Sequence, residues 1–331
     1  MNSILGPETD RALSVTRRAV EVLQREYPGS RWVIHSDVSE ARKARVIRFS
    51  AHDNSRQAAL RLYASPVAAR RQAAGLRYGA AMNSVHGHRV PRVYAWFEDA
   101  SALLIEWLQA PHLETVLVRA ALAPVRHRDS VRRVGEWLRH FHALDRIEDA
   151  PLDAQRYRLL LARRLKAAPV GAAVLATDTL WCEAVAWLDQ QLQLQDGQPV
   201  PFARTHGDFT FTNVLVERSR ITGIDIWAEQ RLPAAEDLAR MFVYLAMGDI
   251  FPLRARVVPV ALPARRAQQA LFEGYGPRVD PGSRAWPLLV CFEALARYLA
   301  LQDRLVRRHS FSERWKVAGL RPLLTSIMVG V

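Results

Sequence analysis

The spacing of hydrophobic residues changes once along this 331-residue chain, near residue 108, and that change limits the folds it can adopt. Before it, residues 31–35, 44–49 and 56–64 form short apolar runs between polar segments, a pattern that predicts three antiparallel strands. Beyond residue 108, apolar residues recur at helical spacing almost to the end. A small sheet followed by a larger helical region predicts an α+β chain with two lobes.

We place the boundary between the predicted lobes at residue 108. Residues 1–108 form the predicted N-terminal lobe, which begins with an amphipathic helix over residues 9–26. Residues 67–82 return to helical spacing, and two more strand-like runs follow before the boundary. Residues 109–331 form the predicted helical lobe.

Charge narrows the range of partners. The formal net charge of +13 comes almost wholly from arginine, because the lysines are Lys43, Lys166 and Lys316. This charge favours anionic partners such as nucleotides, phosphorylated sugars and acidic membrane surfaces over polycations. No apolar run reaches the roughly 18 residues of a membrane helix, and the N-terminus lacks a secretory pattern. The sequence therefore predicts a cytoplasmic protein.

One non-helical segment interrupts the helical region. It consists of THGDFTFTNVLV, residues 205–216, and ITGIDIW, residues 221–227. Two apolar runs on either side of a polar turn predict a hairpin. Asp208 and Asn213 lie in the loop before its first strand, and Asp225 lies in its second. If the strands pair, Asp225 comes close to Asn213.

These three polar groups indicate chemistry rather than a plain hairpin. Taken singly, Asp208 and Asn213 could be ordinary turn residues, and Asp225 could be a carboxylate on an edge strand. Together, between apolar strands, they would bear a desolvation cost of several kcal/mol unless a charge or a metal satisfied them. Phosphoryl transfer requires oxygen ligands for magnesium and a carboxylate beside the acceptor hydroxyl. The segment therefore predicts a phosphoryl-transfer site.

The segment resembles the signature of the aminoglycoside phosphotransferase and choline kinase group, which is related to the protein kinases. The resemblance extends to VPRVYAWF, LLIEWL, GEWLRHFHAL and AAEDLARMFVYL, and covers roughly residues 30–280. It implies a bilobal protein-kinase-like α+β fold, with a nucleotide-binding small lobe containing an antiparallel sheet and a larger, mainly helical lobe. The implied activity is transfer of the γ-phosphate of ATP, or of GTP, to a hydroxyl group with Mg²⁺.

The resemblance assigns a role to each matching residue of the central segment. Asp208 matches the catalytic aspartate that orients or deprotonates the acceptor hydroxyl, and Asn213 and Asp225 match the magnesium ligands. His206 matches the mainly structural histidine of the catalytic loop, and Asp237 matches the aspartate that braces this loop from the next helix.

The small lobe departs from the family pattern. Arg61 stands where the family has a phosphate-binding lysine, and Gln72 stands where that lysine's glutamate partner is expected. Arginine keeps the charge and can bind phosphate bidentately, while Gln72 can accept a hydrogen bond from it. The loop at 36–43 contains no glycine, so Lys43 is a candidate for the missing phosphate contact. Glu106, in the hinge-like LLIEWL, completes the predicted nucleotide-binding residues.

Two other interpretations stay open at this point. In one, the changes at Arg61 and Gln72 have abolished productive nucleotide binding, and the chain is a kinase-like regulatory or scaffold protein. In the other, a basic protein binds polyanions without catalysis, although no sequence motif indicates specific nucleic-acid binding. We favour an active enzyme, because a chain released from catalysis has little need for Asp208, Asn213 and Asp225 together.

The acceptor is a small molecule with a hydroxyl group, and a fold alone does not identify it. Residues 292–316 place Arg297, Arg304 and Arg308 on one helical face, which argues against a polycationic aminoglycoside. We expect a neutral or anionic compound such as a sugar, or a saccharide presented at an acidic membrane surface with which the protein makes peripheral contact. The sequence leaves the oligomeric state open.

Overall fold

A computed structural model describes residues 7–41, 44–120, 123–248, 261–308 and 310–330. The chain divides into two compact units. The first comprises Met1–Ala110 and Thr222–Glu229, and the second comprises Pro111–Ile221 and Gln230–Val331. The first unit thus also contains the segment 222–229, which the division at residue 108 assigned to the helical lobe.

The first unit is an antiparallel sheet with two helices. Its elements in chain order are α1 (Pro7–Glu26), β1 (Trp32–Ala41), β2 (Ala44–Ala51), β3 (Gln57–Tyr63), α2 (Pro66–Gly79), a 3-10 turn (Ala80–Ser84), β4 (His88–Arg89), β5 (Val93–Phe97) and β6 (Ala102–Glu106). Five of the strands pair in the order β1-β2-β3-β6-β5, and every pairing is antiparallel. These elements match the strands and helices predicted from the hydrophobic pattern.

Helix α1, which the sequence predicts as amphipathic, covers this sheet with one apolar face. Val15, Ala19 and Leu23 recur at helical spacing and are buried in one cluster with Phe49 of β2 and Leu60 of β3. Burying each large side chain of such a face stabilises the fold by about 1.5–3 kcal/mol. The same packing fixes β3, which carries Arg61.

The chain beyond Ala110 is mainly helical. Its elements are α3 (Leu113–Arg119), α4 (Pro124–His142), β7 (Glu148–Pro151), α5 (Ala154–Ala167), α6 (Pro169–Leu175), α7 (Thr179–Gln195), β8 (Pro199–Arg204), a 3-10 turn (Phe211–Asn213), β9 (Val214–Val216), β10 (Ile221–Gly223), β11 (Arg231–Pro233), α8 (Ala235–Gly248), α9 (Ala261–Tyr275), α10 (Ala285–Arg308) and α11 (Phe311–Val329). No helix in the described ranges is both long and apolar enough to cross a membrane.

A small sheet that the sequence did not predict lies where the central loop begins. Strand β8 pairs antiparallel with both β7 and β11, and it leads directly into residue 205. Strand β11 leads into α8, and the main-chain nitrogen of Thr205 donates to the oxygen of Gln230 beside it. This sheet therefore anchors both the loop and the helix that carries Asp237.

Two glycines let α4 and α9 pack with their backbones in contact. A Cβ atom on Gly135 would overlap the main-chain oxygen of Leu271, and one on Gly274 would overlap that of Arg132. Any side chain at either position would force the helices apart. The contact fixes α4, which ends at His142 near the central loop.

The second strand of the predicted hairpin is shorter than the sequence indicated. Strands β9 and β10 are neighbours in one sheet, but β10 ends at Gly223. The prediction that Asp225 lies within this strand is wrong, because Asp225 follows it with a left-handed φ of 58°. Aspartate tolerates this conformation better than most residues, since its short side chain bonds locally. A bend, rather than a strand, presents the Asp225 carboxylate.

Candidate active site

In the second unit, Asp208 lies in a loop that Asn213 holds in place. The Nδ2 atom of Asn213 donates to the main-chain oxygen of Asp208 at 2.8 Å and to its carboxylate Oδ2 at 3.1 Å. Asn213 is buried and Asp208 is half-buried at the loop surface. One amide therefore fixes both the backbone and the carboxylate of the residue predicted to act on the acceptor hydroxyl.

The predicted brace, Asp237 of α8, is fully buried behind this loop. Its carboxylate accepts hydrogen bonds from the main-chain nitrogens of His206 at 2.6 Å and Gly207 at 3.2 Å. Burial raises the pKa of Asp237, but the hydrogen bond from His142 and the positive charge of Arg240 outweigh it and hold that pKa below its ordinary value. An ionised carboxylate thus holds two consecutive N–H groups just before Asp208.

His142 connects this brace to α9. Its Nε2 lies 3.1 Å from Oδ2 of Asp237, and its Nδ1 lies 2.9 Å from the hydroxyl of Tyr275. A carboxylate can only accept hydrogen bonds. Nε2 of His142 therefore donates to Asp237, and Nδ1 accepts a hydrogen bond from the hydroxyl of Tyr275. With no exposed surface, His142 has the structural position expected of a core histidine rather than a reactive one.

Aromatic rings fill the space beneath the loop. The ring of Trp137 stacks on Phe209 with centroids 5.5 Å apart and on Phe141 with centroids 5.1 Å apart. The imidazole of His206 lies 5.3 Å from the Phe209 ring, and its Nδ1 accepts a hydrogen bond from the main-chain nitrogen of Asp208 at 3.4 Å. His206 is therefore buried against these rings in the loop that carries Asp208.

Arg240 and Glu293 also hold the loop, and the sequence analysis missed both. Arg240 of α8 donates through Nη1 to the main-chain oxygen of Gly207 and through Nη2 to Glu293 of α10 at 2.7 Å. Burial lowers the pKa of Arg240, but Glu293, Asp237 and Asp208 raise it overall. A usable signal was Glu293 itself, because an acidic residue within the apolar run of α10 needs a buried partner.

In the first unit, Arg61 forms an ion pair with Asp225. Its Nη1 donates to Oδ1 of Asp225, and both side chains are largely buried. Burial lowers the pKa of Arg61, but the Asp225 carboxylate raises it overall. The predicted phosphate-binding residue and the predicted metal ligand of this unit are therefore direct neighbours.

Gln72 does not make the hydrogen bond to Arg61 that the sequence analysis expected. It is buried in α2 and donates through Nε2 to the main-chain oxygen of Ile226 at 3.3 Å. The cause is close packing, since a Cβ on Gly75, one turn further along α2, would overlap the same oxygen. Gln72 thus positions the segment that carries Asp225, and Arg61 takes Asp225 itself as its partner.

Glu106 and Lys43 are the other predicted nucleotide-binding residues. Glu106 ends β6, where its carboxylate pairs with Arg89 and accepts from the main-chain nitrogen of Arg92 at 3.3 Å. Lys43 lies outside the described residues. The roles of both residues in nucleotide binding stay predictions.

The chemistry of Asn213 and Asp225 suits magnesium, which prefers carboxylate and amide oxygens. Because Nδ2 of Asn213 is used by Asp208, its Oδ1 is left as a ligand atom. Oδ1 of Asp225 pairs with Arg61, and its second carboxylate oxygen makes no hydrogen bond to a described residue. Each side chain therefore has an oxygen of the required type.

A sequence model of the phosphotransferase enzyme family matches residues 36–225, more than half of the chain. The chain belongs to this family. Membership confirms the predicted class of enzyme, a phosphotransferase that uses an alcohol group as acceptor, and with it the resemblance noted in the sequence. No curated protein sequence matches the chain.

Solved structures confirm the predicted protein-kinase-like α+β fold of this phosphotransferase. A glucosamine kinase in complex with glucosamine, ADP and inorganic phosphate has a TM-score of 0.60 and 18% identity, covering 98% of this chain and 84% of that one. A choline/ethanolamine kinase family protein from Mesorhizobium loti has a TM-score of 0.56 and 16% identity, covering 95% of this chain and 94% of that one. A thermostable mutant of an aminoglycoside phosphotransferase, in complex with AMP-PNP and hygromycin B, has a TM-score of 0.50 and 17% identity, covering 92% of this chain and 97% of that one.

Proposed function

We propose that this phosphotransferase transfers the γ-phosphate of ATP, or of GTP, to a hydroxyl of a neutral or anionic small molecule, with a sugar or saccharide as the favoured class. The observation that carries the proposal is the double hydrogen bond from Asn213 to Asp208. It holds a carboxylate at the surface of a loop whose backbone is fixed from below by Asp237, in a chain of the phosphotransferase family.

Asp208 is the catalytic residue in this proposal. The acceptor oxygen attacks the γ-phosphorus, a new P–O bond forms, and the bond to the β–γ bridging oxygen breaks with its electrons passing to the nucleoside diphosphate. Asp208 orients the acceptor hydroxyl and accepts its proton as that bond forms. Because Asn213 binds Oδ2 of Asp208, Oδ1 is the atom that faces the hydroxyl.

Asn213 and Asp225 are the proposed magnesium ligands. When bound, magnesium neutralises charge on the transferring phosphates. Arg61 supplies a fixed positive charge for the phosphates, and Glu106 and Lys43 complete the nucleotide contacts. Gln72 acts through Ile226 by positioning the segment that carries Asp225.

The acceptor class rests on charge. A formal net charge of +13 opposes the approach of polycations. The glucosamine kinase neighbour was solved in complex with glucosamine, which supports the sugar class but not the charge. Arg61 paired with Asp225 is also what a kinase-like scaffold protein without turnover would show. Activity measurements separate the two functions.

The test is formation of ADP and phosphorylated product from Mg²⁺-ATP across a panel of sugars, sugar acids and amino alcohols. Replacing Asp208 by alanine is expected to lower turnover by about 10²–10⁴-fold, the usual effect of removing a general base, with Mg²⁺-ATP affinity retained. The matched control is Asp149→Ala, an exposed aspartate of β7. Wild-type turnover in Asp208→Ala would refute its role, and Mg²⁺-independent nucleotide binding without any transfer would favour the scaffold.

A further inference from the structure

The guanidinium of Arg297, on α10, has no anionic partner among the described residues. Its Nε is sealed from solvent and has no hydrogen-bond partner in the described part of the chain. It makes a cation–π interaction, with the guanidinium carbon 4.6 Å from the centroid of the Tyr244 ring. Arg297 is half-buried, and a charge held partly away from water without an acceptor is costly, so this arrangement requires a reason.

Other arginines of the same helix differ from Arg297. Arg304 pairs with Glu313 at 2.7 Å, and Arg307 pairs with Asp303 at 3.1 Å. Burial lowers the pKa of Arg297 and the charge of Arg304 lowers it further, so the net pKa lies below its ordinary value even though Tyr244, Asp208 and Glu313 act in the opposite direction. The charges of Arg304 and Arg307 are thus paired, whereas that of Arg297 has no ion-pair partner among the residues that the structure describes.

Arg297 also lies near the loop that carries Asp208. The ring it covers, Tyr244 of α8, contacts the Phe211 ring edge-on with centroids 5.0 Å apart, and Phe211 belongs to the 3-10 turn that ends at Asn213. One turn earlier on α10, Glu293 reaches Gly207 of the same loop through Arg240. Two residues four positions apart on α10 thus approach the loop through two residues four positions apart on α8.

The stacking determines which part of Arg297 remains for a ligand. The guanidinium carbon lies over the Tyr244 ring, and guanidinium N–H donors that face away from a ring match the paired oxygens of a carboxylate or phosphate. Lysine in this position would offer only a point charge.

From these contacts we propose that Arg297 binds an anionic group of the acceptor, a carboxylate or a phosphate, while Asp208 acts on the acceptor's hydroxyl. The acceptor is then a hydroxy acid or a phosphorylated hydroxyl compound rather than a neutral or cationic sugar. This rests on the proposed function and makes its acceptor class narrower.

The test compares wild type, Arg297→Gln and Arg308→Gln, the last removing the same charge from an exposed position at the end of the same helix. Binding of glucose, glucuronate and inorganic phosphate is measured by calorimetry at fixed ionic strength with Mg²⁺-ADP bound. We expect Arg297→Gln to weaken glucuronate and phosphate binding by about 10–100-fold, as for loss of hydrogen bonds to a charged group. Glucose binding and the Arg308→Gln protein should be unchanged.

Several outcomes would overturn the assignment. Equal affinities of Arg297→Gln and Arg308→Gln for glucuronate and phosphate would overturn it. So would a loss of glucose affinity in Arg297→Gln as large as its loss of affinity for the anions. A loss of Mg²⁺-ATP affinity with Mg²⁺-ADP affinity intact would assign Arg297 to the nucleotide's terminal phosphate instead. A lower melting temperature of ligand-free Arg297→Gln would indicate a structural role, whereas removal of a half-buried charge that has no ion-pair partner among the described residues should leave the melting temperature equal or higher. Arg297→Lys should lie between wild type and Arg297→Gln.

Phosphoryl transfer by the same proteins separates this inference from the proposed function. Efficient transfer to a neutral acceptor that is indifferent to Arg297 would preserve the proposed function and refute the anion assignment. Anion binding that depends on Arg297, without transfer to any hydroxyl, would refute the proposed function alone.

Discussion

Replacing Asp237 by asparagine tests whether this carboxylate organises the catalytic loop. Oδ2 of Asp237 accepts from His142 at 3.1 Å and from the nitrogen of His206 at 2.6 Å, and Oδ1 accepts from the nitrogen of Gly207 at 3.2 Å. Asparagine keeps one oxygen. In its better orientation the asparagine oxygen takes the place of Oδ2 and keeps the hydrogen bonds from His142 and His206, although the negative charge is lost. Its NH₂ group then takes the place of Oδ1 and faces the N–H of Gly207.

The expected destabilisation follows from this geometry. The N–H group of Gly207 loses its acceptor, which costs about 1–3 kcal/mol, and the two remaining hydrogen bonds lose their charge assistance, about 1 kcal/mol each. Relief of the desolvated charge of Asp237 offsets part of this. We expect a net loss of about 3 kcal/mol, or about 6–12 °C in melting temperature for a unit of this size.

Urea denaturation followed by tryptophan fluorescence measures this loss, since Trp137 stacks on Phe209 beneath the loop. The matched control is Asp149→Asn, which makes the same change at an exposed site on β7. Below the denaturation range, Asp237→Asn should reduce turnover by at least about tenfold, because a misplacement near 1 Å is costly in catalysis. An unfolding free energy within about 0.5 kcal/mol of the control, which is the normal range for surface changes, would show that the brace contributes nothing.

Three further predictions concern other contacts. The pKa of Asp237 is lower in the folded protein than its unfolded value of about 3.9, so the stabilisation that its carboxylate contributes is complete above that value and is lost as the pH falls through the folded pKa. The unfolding free energy of Asp237→Asn should therefore fall less steeply with decreasing pH than that of the wild type, and equal slopes would contradict this. Arg61→Ala should weaken Mg²⁺-ATP binding by about 10–100-fold, with Arg61→Lys recovering part of it, as measured by calorimetry; no change in either would show that Arg61 serves Asp225 alone. Gly274→Ala should destabilise the protein by about 1–3 kcal/mol in urea, because its Cβ would overlap the Arg132 oxygen, and tolerance of alanine there would contradict the α4–α9 packing.

The hydrophobic pattern was sufficient to predict the strands and helices of the first unit, because the contacts within that unit are mostly between neighbouring elements. Short apolar runs between polar segments predicted the strands, and helical spacing predicted α1, whose buried face is formed by Val15, Ala19 and Leu23. The β7-β8-β11 sheet was not predictable in this way, since its strands are three to six residues long and far apart in sequence. Strands this short carry too few residues for a period of two to stand out.

The site was predicted in its residue types but not in its contacts. Asp208 and Asn213 could be predicted because their spacing is local, and the structure joins them directly. The partners of Arg61 and Gln72 depend on residues about 155–165 positions away, which no spacing rule reaches. Glu293 is similar, because an isolated acid in an apolar helix indicates that a partner exists without identifying it.

The pairing of Arg61 with Asp225 is compatible with phosphate binding because of how an arginine distributes its donors. Only Nη1 of Arg61 is engaged by Asp225, and its Nε has no hydrogen-bond partner among the described residues. A guanidinium carries five N–H donors, whereas an ammonium is a point charge with three. A lysine paired with Asp225 would use most of its charge on that carboxylate, but an arginine can hold the carboxylate with one edge and a phosphate with another. If Arg61 binds the phosphates as proposed, Asp225 already serves as its anionic partner, and a second carboxylate at the position of Gln72 would compete with the phosphates for the same cation.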